Sequence, residues 1–125
     1  MGSSLARASR FSAIGDYLTT ANDQIFLILQ VESKAALANL DAILVVEGVD
    51  AVFIGPSDLA ADMGHLGQAG HPEVRAAVMQ TLRRIRDAGK VAGALTTDPA
   101  YIDDCRDAGA NFLGVGVDVL VYTQA

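Results

Sequence analysis

Ile25-Phe26-Leu27-Ile28-Leu29-Gln30-Val31-Glu32, followed after a helical stripe by Val49-Asp50-Ala51-Val52-Phe53-Ile54-Gly55-Pro56-Ser57-Asp58, reads as strand, helix, strand. Consecutive strands joined by a helical crossover pair in parallel with right-handed connection, so both strand ends fall on one rim of one sheet. Each end is followed by a carboxylate, Glu32 and Asp58, and these are expected to face one pocket. Gln30 stands two residues before Glu32, and strand alternation sends its side chain to the same face. The Gly55-Pro56-Ser57 turn brings bare backbone to that rim.

Working outward, the near-continuous apolar run Ile25 to Val31 predicts a strand buried on both faces. Ser33 is placed to cap a helix whose Leu37, Leu40 and Leu44 point inward, and Gly48 ends it. A glycine-containing loop is predicted from Leu59 to Gly70. Pro72 and Glu73 open a strong helix with a Val74, Val78, Leu82 and Ile85 stripe and a stop at Gly89. Val91 to Leu95 is a third strand, Asp98-Pro99 starts another helix that stops at Gly109, and Asn111 to Val117 is a fourth strand. Upstream, residues 13 to 22 carry a short helical pattern and residues 1 to 12 read as loop or frayed helix. The βαβαβαβ order implies α/β architecture with four parallel strands and covering helices. A small open sheet and part of a (β/α)₈ barrel both satisfy it, and both place ligands at the C-terminal strand ends.

With 125 residues the chain is one domain,. A 51% apolar content argues against disorder, and a formal charge of −6 argues against a nucleic-acid partner,. Arg83, Arg84, Arg86 and Lys90 cluster near a helix C-terminus, where cations suit the dipole, and read as a solvated helix face. The single cysteine, Cys105, excludes an internal disulfide and reads as a structural thiol in a reducing compartment,. No apolar run reaches the ~20 residues of a membrane helix. No membrane partner is expected, and cytoplasmic localisation is.

The segments Leu5-Ala6-Arg7-Ala8-Ser9-Arg10, Leu29-Gln30-Val31-Glu32, Val46-Glu47-Gly48-Val49-Asp50, Phe53-Ile54-Gly55-Pro56-Ser57-Asp58-Leu59 and Val115-Gly116-Val117-Asp118 resemble the class II, metal-dependent 2-oxo acid aldolases of the HpcH/HpaI family. The resemblance implies a TIM-barrel lyase that cleaves a 4-hydroxy-2-oxo acid to pyruvate and an aldehyde. It implies Glu32 and Asp58 as ligands of a divalent metal, Mg²⁺ or Mn²⁺, since an oxygen-only shell suits these ions. Gln30 would contact the oxo acid substrate, and Ser57 would bind the pyruvate carboxylate through its backbone N–H, within the Gly55 to Asp58 turn. By the same resemblance the chain is the C-terminal half of the barrel, strands five to eight, as a single partial-barrel domain. The family's His base and the Arg that steadies the enolate would lie in the other half, so no catalytic acid–base residue is expected in this chain. No lysine falls at a strand end, which disfavours a Schiff-base aldolase.

Beside the aldolase reading stand a catalytically incomplete fragment that binds metal and oxo acid, a structural remnant, and a citrate-lyase-like relative. His65 and His71 match no ligand spacing and read as surface or capping residues. Gly114 to Asp118 lacks the third glycine of a dinucleotide fingerprint, and Asp118 reads as a rim residue ending the last strand. Four strands of a barrel leave both edges unpaired, near Ile25 and Asn111, and leave an apolar face uncovered. A homo-oligomer is the expected result.

Overall fold

The computed structural model describes residues 5–123. The reading of residues 1–4 therefore lies outside the described residues. Four strands, β1 (Ile28–Val31), β2 (Ala51–Ile54), β3 (Val91–Leu95) and β4 (Phe112–Gly114), form one parallel sheet in sequence order. Register aligns Gln30 with Phe53, Phe53 with Gly93 and Gly93 with Phe112, so one row of side chains crosses the sheet.

The helices are α1 (Tyr17–Thr20), α2 (Lys34–Ala38), α3 (Leu40–Leu44), α4 (Pro56–Asp62), α5 (Pro72–Asp87), α6 (Pro99–Asp107) and α7 (Asp118–Thr123). The predicted stripe of α5 forms the core, with Val74, Val78, Leu82 and Ile85 all fully buried beside Val52, Ile54, Ala92 and Ala94 of the sheet. Caps fall where the sequence places them. Ser33 accepts from the Ala36 N–H at 3.1 Å, Asp98 from the Ala100 N–H at 2.9 Å, and the stop glycines Gly89 and Gly109 take positive φ, whereas the helix expected to end at Gly48 stops at Leu44 with Val45 as its C-cap.

Five expectations are corrected. The first strand is not buried on both faces, because the crossover helices cover one side of the sheet: Val31 is buried on that side while Ile28 on the other is 41% exposed, and Phe26, before the strand, is 58% exposed. The helix after Ser33 is broken at Asn39 into α2 and α3, although Leu40 and Leu44 remain buried. The loop predicted from Leu59 starts later, because Pro56 at the first helical position nucleates α4 from Gly55,. The fourth strand stops at Gly114, and Asp118 opens α7 instead of ending the strand. The basic cluster is also more than a solvated face. Arg84 pairs with Asp41 at 2.8 Å, and Lys90 Nζ donates to the Val49 carbonyl at 2.6 Å, tying α5 to neighbouring segments.

Candidate functional site

The C-terminal ends of β1 and β2 carry the site. Glu32 follows β1 directly, and the register sets it level with Gly55, which follows β2. Gln30 and Glu32 project to the same side, and the Gln30 amide donates to Glu32 Oε2 at 2.7 Å. Gly55 is what makes room for this pair. A Cβ on Gly55 would stand 2.8 Å from Glu32 Oε2 and 2.9 Å from Gln30 Nε2, so any side chain there would displace them.

Past Gly55 the chain turns into α4, with Pro56, Ser57 and Asp58 in its first turn. Proline brings no N–H, and the N–H groups of Ser57 and Asp58 precede the first intrahelical bond, from Leu59 to the Gly55 carbonyl at 3.0 Å,. Donors and a helix N-terminus therefore sit beside an exposed carboxylate,. One turn later on α4, Asp62 accepts from the Lys34 N–H at 2.7 Å. That bond ties the segment bearing Glu32 to the helix bearing Asp58. Sequence reasoning missed Asp62, because its partner lies 28 residues upstream and only the sheet brings the two together.

A cleft of about 180 Å³ opens on this rim, walled by Gln30, Gly55, Pro56, Ser57 and Asp58 over Phe53 and Leu95. Glu32 is not in its wall and joins the site through its bond with Gln30. A second cavity of about 250 Å³ adjoins it, sharing Ser57 and Leu95 and adding Thr96, Thr97, Tyr101 and Leu120. Sequence reasoning passed over Leu95 and the two threonines. They follow β3 on the same rim, which the rule that ligands gather at strand ends would have flagged. The Tyr101 hydroxyl is buried with no hydrogen-bond partner among the described residues, and burial raises its pKa above the ordinary range. Below that ring, Arg75 stacks its guanidinium 4.4 Å from the centroid and pairs with Asp104, which raises the arginine's pKa. The donor set at the rim, two carboxylates and a carboxamide, is oxygen chemistry of the kind hard divalent cations take.

His71 caps α5, accepting the Glu73 N–H at 3.3 Å, as the capping expectation has it. His65 is brought onto the same spot: its Nε2 lies 3.0 Å from Glu73 Oε2, and its ring stacks on that of His71 at 3.6 Å. The bond from His65 lowers the pKa of Glu73. None of the three lines the cleft at the Gln30 to Asp58 rim.

The sequence model of the family described as HpcH/HpaI aldolase/citrate lyase matches residues 4–125. A protein described as 2-keto-3-deoxy-L-rhamnonate aldolase from Klebsiella pneumoniae subsp. pneumoniae is 53% identical over all 125 residues, which cover 47% of that relative. An HpcH/HpaI aldolase/citrate lyase family protein from Burkholderia cenocepacia superposes over 96% of this chain and 47% of its own, with a TM-score of 0.88 and 38% identity. An HpcH/HpaI aldolase from Desulfitobacterium hafniense superposes over 93% with a TM-score of 0.78 and 33% identity. The chain spans about half the length of the curated relatives it matches.

Proposed function

Because the chain belongs to the HpcH/HpaI aldolase/citrate lyase family, we propose that it carries the metal- and oxo-acid-binding rim of a pyruvate-type aldolase. The reaction is reversible retro-aldol cleavage of a 4-hydroxy-2-oxo, 2-keto-3-deoxy sugar acid to pyruvate and an aldehyde. The relatives described as 2-keto-3-deoxy-L-rhamnonate aldolases support that substrate class. The four strands are read as the later half of a (β/α)₈ barrel.

The observation that carries this reading is the meeting of Gln30 and Glu32 with the Gly55 to Asp58 turn, in contact over a glycine where any side chain would displace both polar groups. Glu32 and Asp58 would hold a divalent cation, Mg²⁺ or Mn²⁺, whose Lewis acidity toward the 2-keto oxygen eases carbon–carbon cleavage. Ser57 offers a backbone N–H to the substrate carboxylate, and its hydroxyl is not needed for that contact. Gln30 orients Glu32 and presents its carboxamide to the cleft. Phe53 and Leu95 give the cleft an apolar floor that lowers the local dielectric around those charges,. The family resemblance assigns the base that takes the proton of the substrate's 4-hydroxyl to the half of the barrel outside these residues, and a general base contributes ~10²- to 10⁴-fold in rate.

Calorimetry tests the rim directly. Mg²⁺ or Mn²⁺ binds weakly alone and more tightly with pyruvate, because the two protein carboxylates leave positions for the keto oxygen and carboxylate. Asp58→Ala abolishes the coupling. Equal metal affinity in that variant removes the site as drawn. In a pyruvate-release assay the isolated chain shows little turnover; ordinary aldolase rates would instead assign a base within residues 1–125.

A further inference from the structure

Loop 63–71 joins α4 to α5 and folds back on itself through short backbone bonds. His65 N–H donates to the Ala60 carbonyl at 2.7 Å, Gln68 N–H to His65 at 2.9 Å, and His71 N–H to Gln68 at 2.8 Å. Gly64 and Gly67 take φ of +89° and +75°, a conformation in which other residues are strained,. The fold of this loop sets both histidines, half-buried, against Glu73 on the first turn of α5. One ligand atom from each of His65, His71 and Glu73 lies within 4.8 Å of the others. We propose that these three side chains form a binding site for a borderline divalent cation of the Zn²⁺, Ni²⁺ or Cu²⁺ class, separate from the oxygen-lined rim.

Two imidazoles and one carboxylate are the donors that class prefers over Mg²⁺. Metal–ligand bonds of about 2.1 Å in a tetrahedral shell put ligand atoms about 3.4 Å apart. His65 Nε2 and Glu73 Oε2 already stand at 3.0 Å, so a cation replaces the proton they share with little movement. His71 has to rotate, since parallel rings 3.6 Å apart point their in-plane lone pairs side by side instead of at one point. The bond it gives up is its long 3.3 Å cap to the Glu73 N–H. The N-terminus of α5 disfavours a nearby cation, and the Glu73 carboxylate offsets it. Water or solvent anions complete the shell on the Glu73 side, which is 70% exposed.

The chain has two histidines, so every imidazole signal in its NMR spectrum reports this site. Titration of the full chain with Zn²⁺ alone is expected to shift both sets together at one equivalent, and Co²⁺ is expected to give the visible bands of a nitrogen-containing shell. His65→Ala and Glu73→Ala each weaken Zn²⁺ at least tenfold, while Asp58→Ala leaves it unchanged and His65→Ala leaves the Mg²⁺–pyruvate coupling unchanged. Glu73 is exposed, so its variant keeps the test intact if the loop variant misfolds. Zn²⁺ binding that survives both His65→Ala and Glu73→Ala, or that disappears in Asp58→Ala, overturns the proposal.

Discussion

The two faces of the sheet are built from similar residues and end in opposite states. On the face under α5, Val52, Ile54, Ala92 and Ala94 have no exposure. Facing the other way, Phe53 and Phe112 meet edge to face at 5.8 Å over Gly93, where a Cβ would come within 2.5 Å of the Phe53 ring. Despite this packing, Phe112, Ile28 and Leu95 remain 39–45% exposed. No described helix covers that row. Apolar content therefore decides which residues seek an interior, and connectivity decides which of them find one: each crossover helix lies on the same side, so only that side is closed. The open face has the composition of a barrel interior, in keeping with a chain half the length of its relatives.

Substitutions on the two faces are expected to differ most in stability. Leu82→Ala, in the closed core, costs about 2–5 kcal/mol in denaturant unfolding,. A loss under 1 kcal/mol would mean that α5 is not seated on the sheet. The closed side also predicts an alkaline limit. Burial raises the Cys105 thiol from 9.0 to about 11, and its folded pKa thus exceeds the unfolded one. Its contribution is fully present below pH 9 and is lost as pH rises to about 11, because the unfolded chain releases its proton first,. Tyr101 acts in the same direction. Urea midpoints should therefore fall across that window, and less steeply in Cys105→Ala. The smallest stability effect belongs to the open face, where Phe112→Ala costs about 1 kcal/mol, the scale of one aromatic pair. It should also weaken self-association, since the exposed row is the surface expected to join two copies. Light scattering at micromolar concentration is expected to give a dimer or larger for the parent chain. A species of one chain's mass, with Phe112→Ala as costly as Leu82→Ala, would show that the chain covers this face itself.

Much of this was legible in the sequence where one residue decides locally. Ser33, Asp98, Pro72 and the stop glycines Gly89 and Gly109 cap and punctuate as read, and the α5 stripe is buried at each expected position. The burial of Ile25 to Val31 was misread because hydropathy reports what a segment prefers, while exposure depends on having a neighbour on both sides. The helix from Pro56 was missed because Gly55-Pro56-Ser57 is as good a turn as it is a helix start. At the rim, Gln30 with Glu32 and the turn to Asp58 could be placed by alternation and parallel pairing alone. Asp62, Thr96 and Thr97 required the crossovers to be drawn in space. The two histidines show the limit from the other side: they lie six residues apart across a loop, which follows no regular period, and the loop passes through positive-φ Gly64 and Gly67 before their rings stack.

Among the described residues each strand of this sheet pairs with its neighbour along the chain, in the order β1-β2-β3-β4. That order has a kinetic meaning. Every closure spans one βα unit, so no pairing has to bridge the whole chain, and the loop-closure entropy of each step is that of one crossover. During synthesis, β2 finds its partner already emerged, and β3 and β4 add in turn without waiting for the far end. The growing edge at every stage is the template for the strand that follows, and a chain wired this way is lengthened by repetition without undoing any pairing already made.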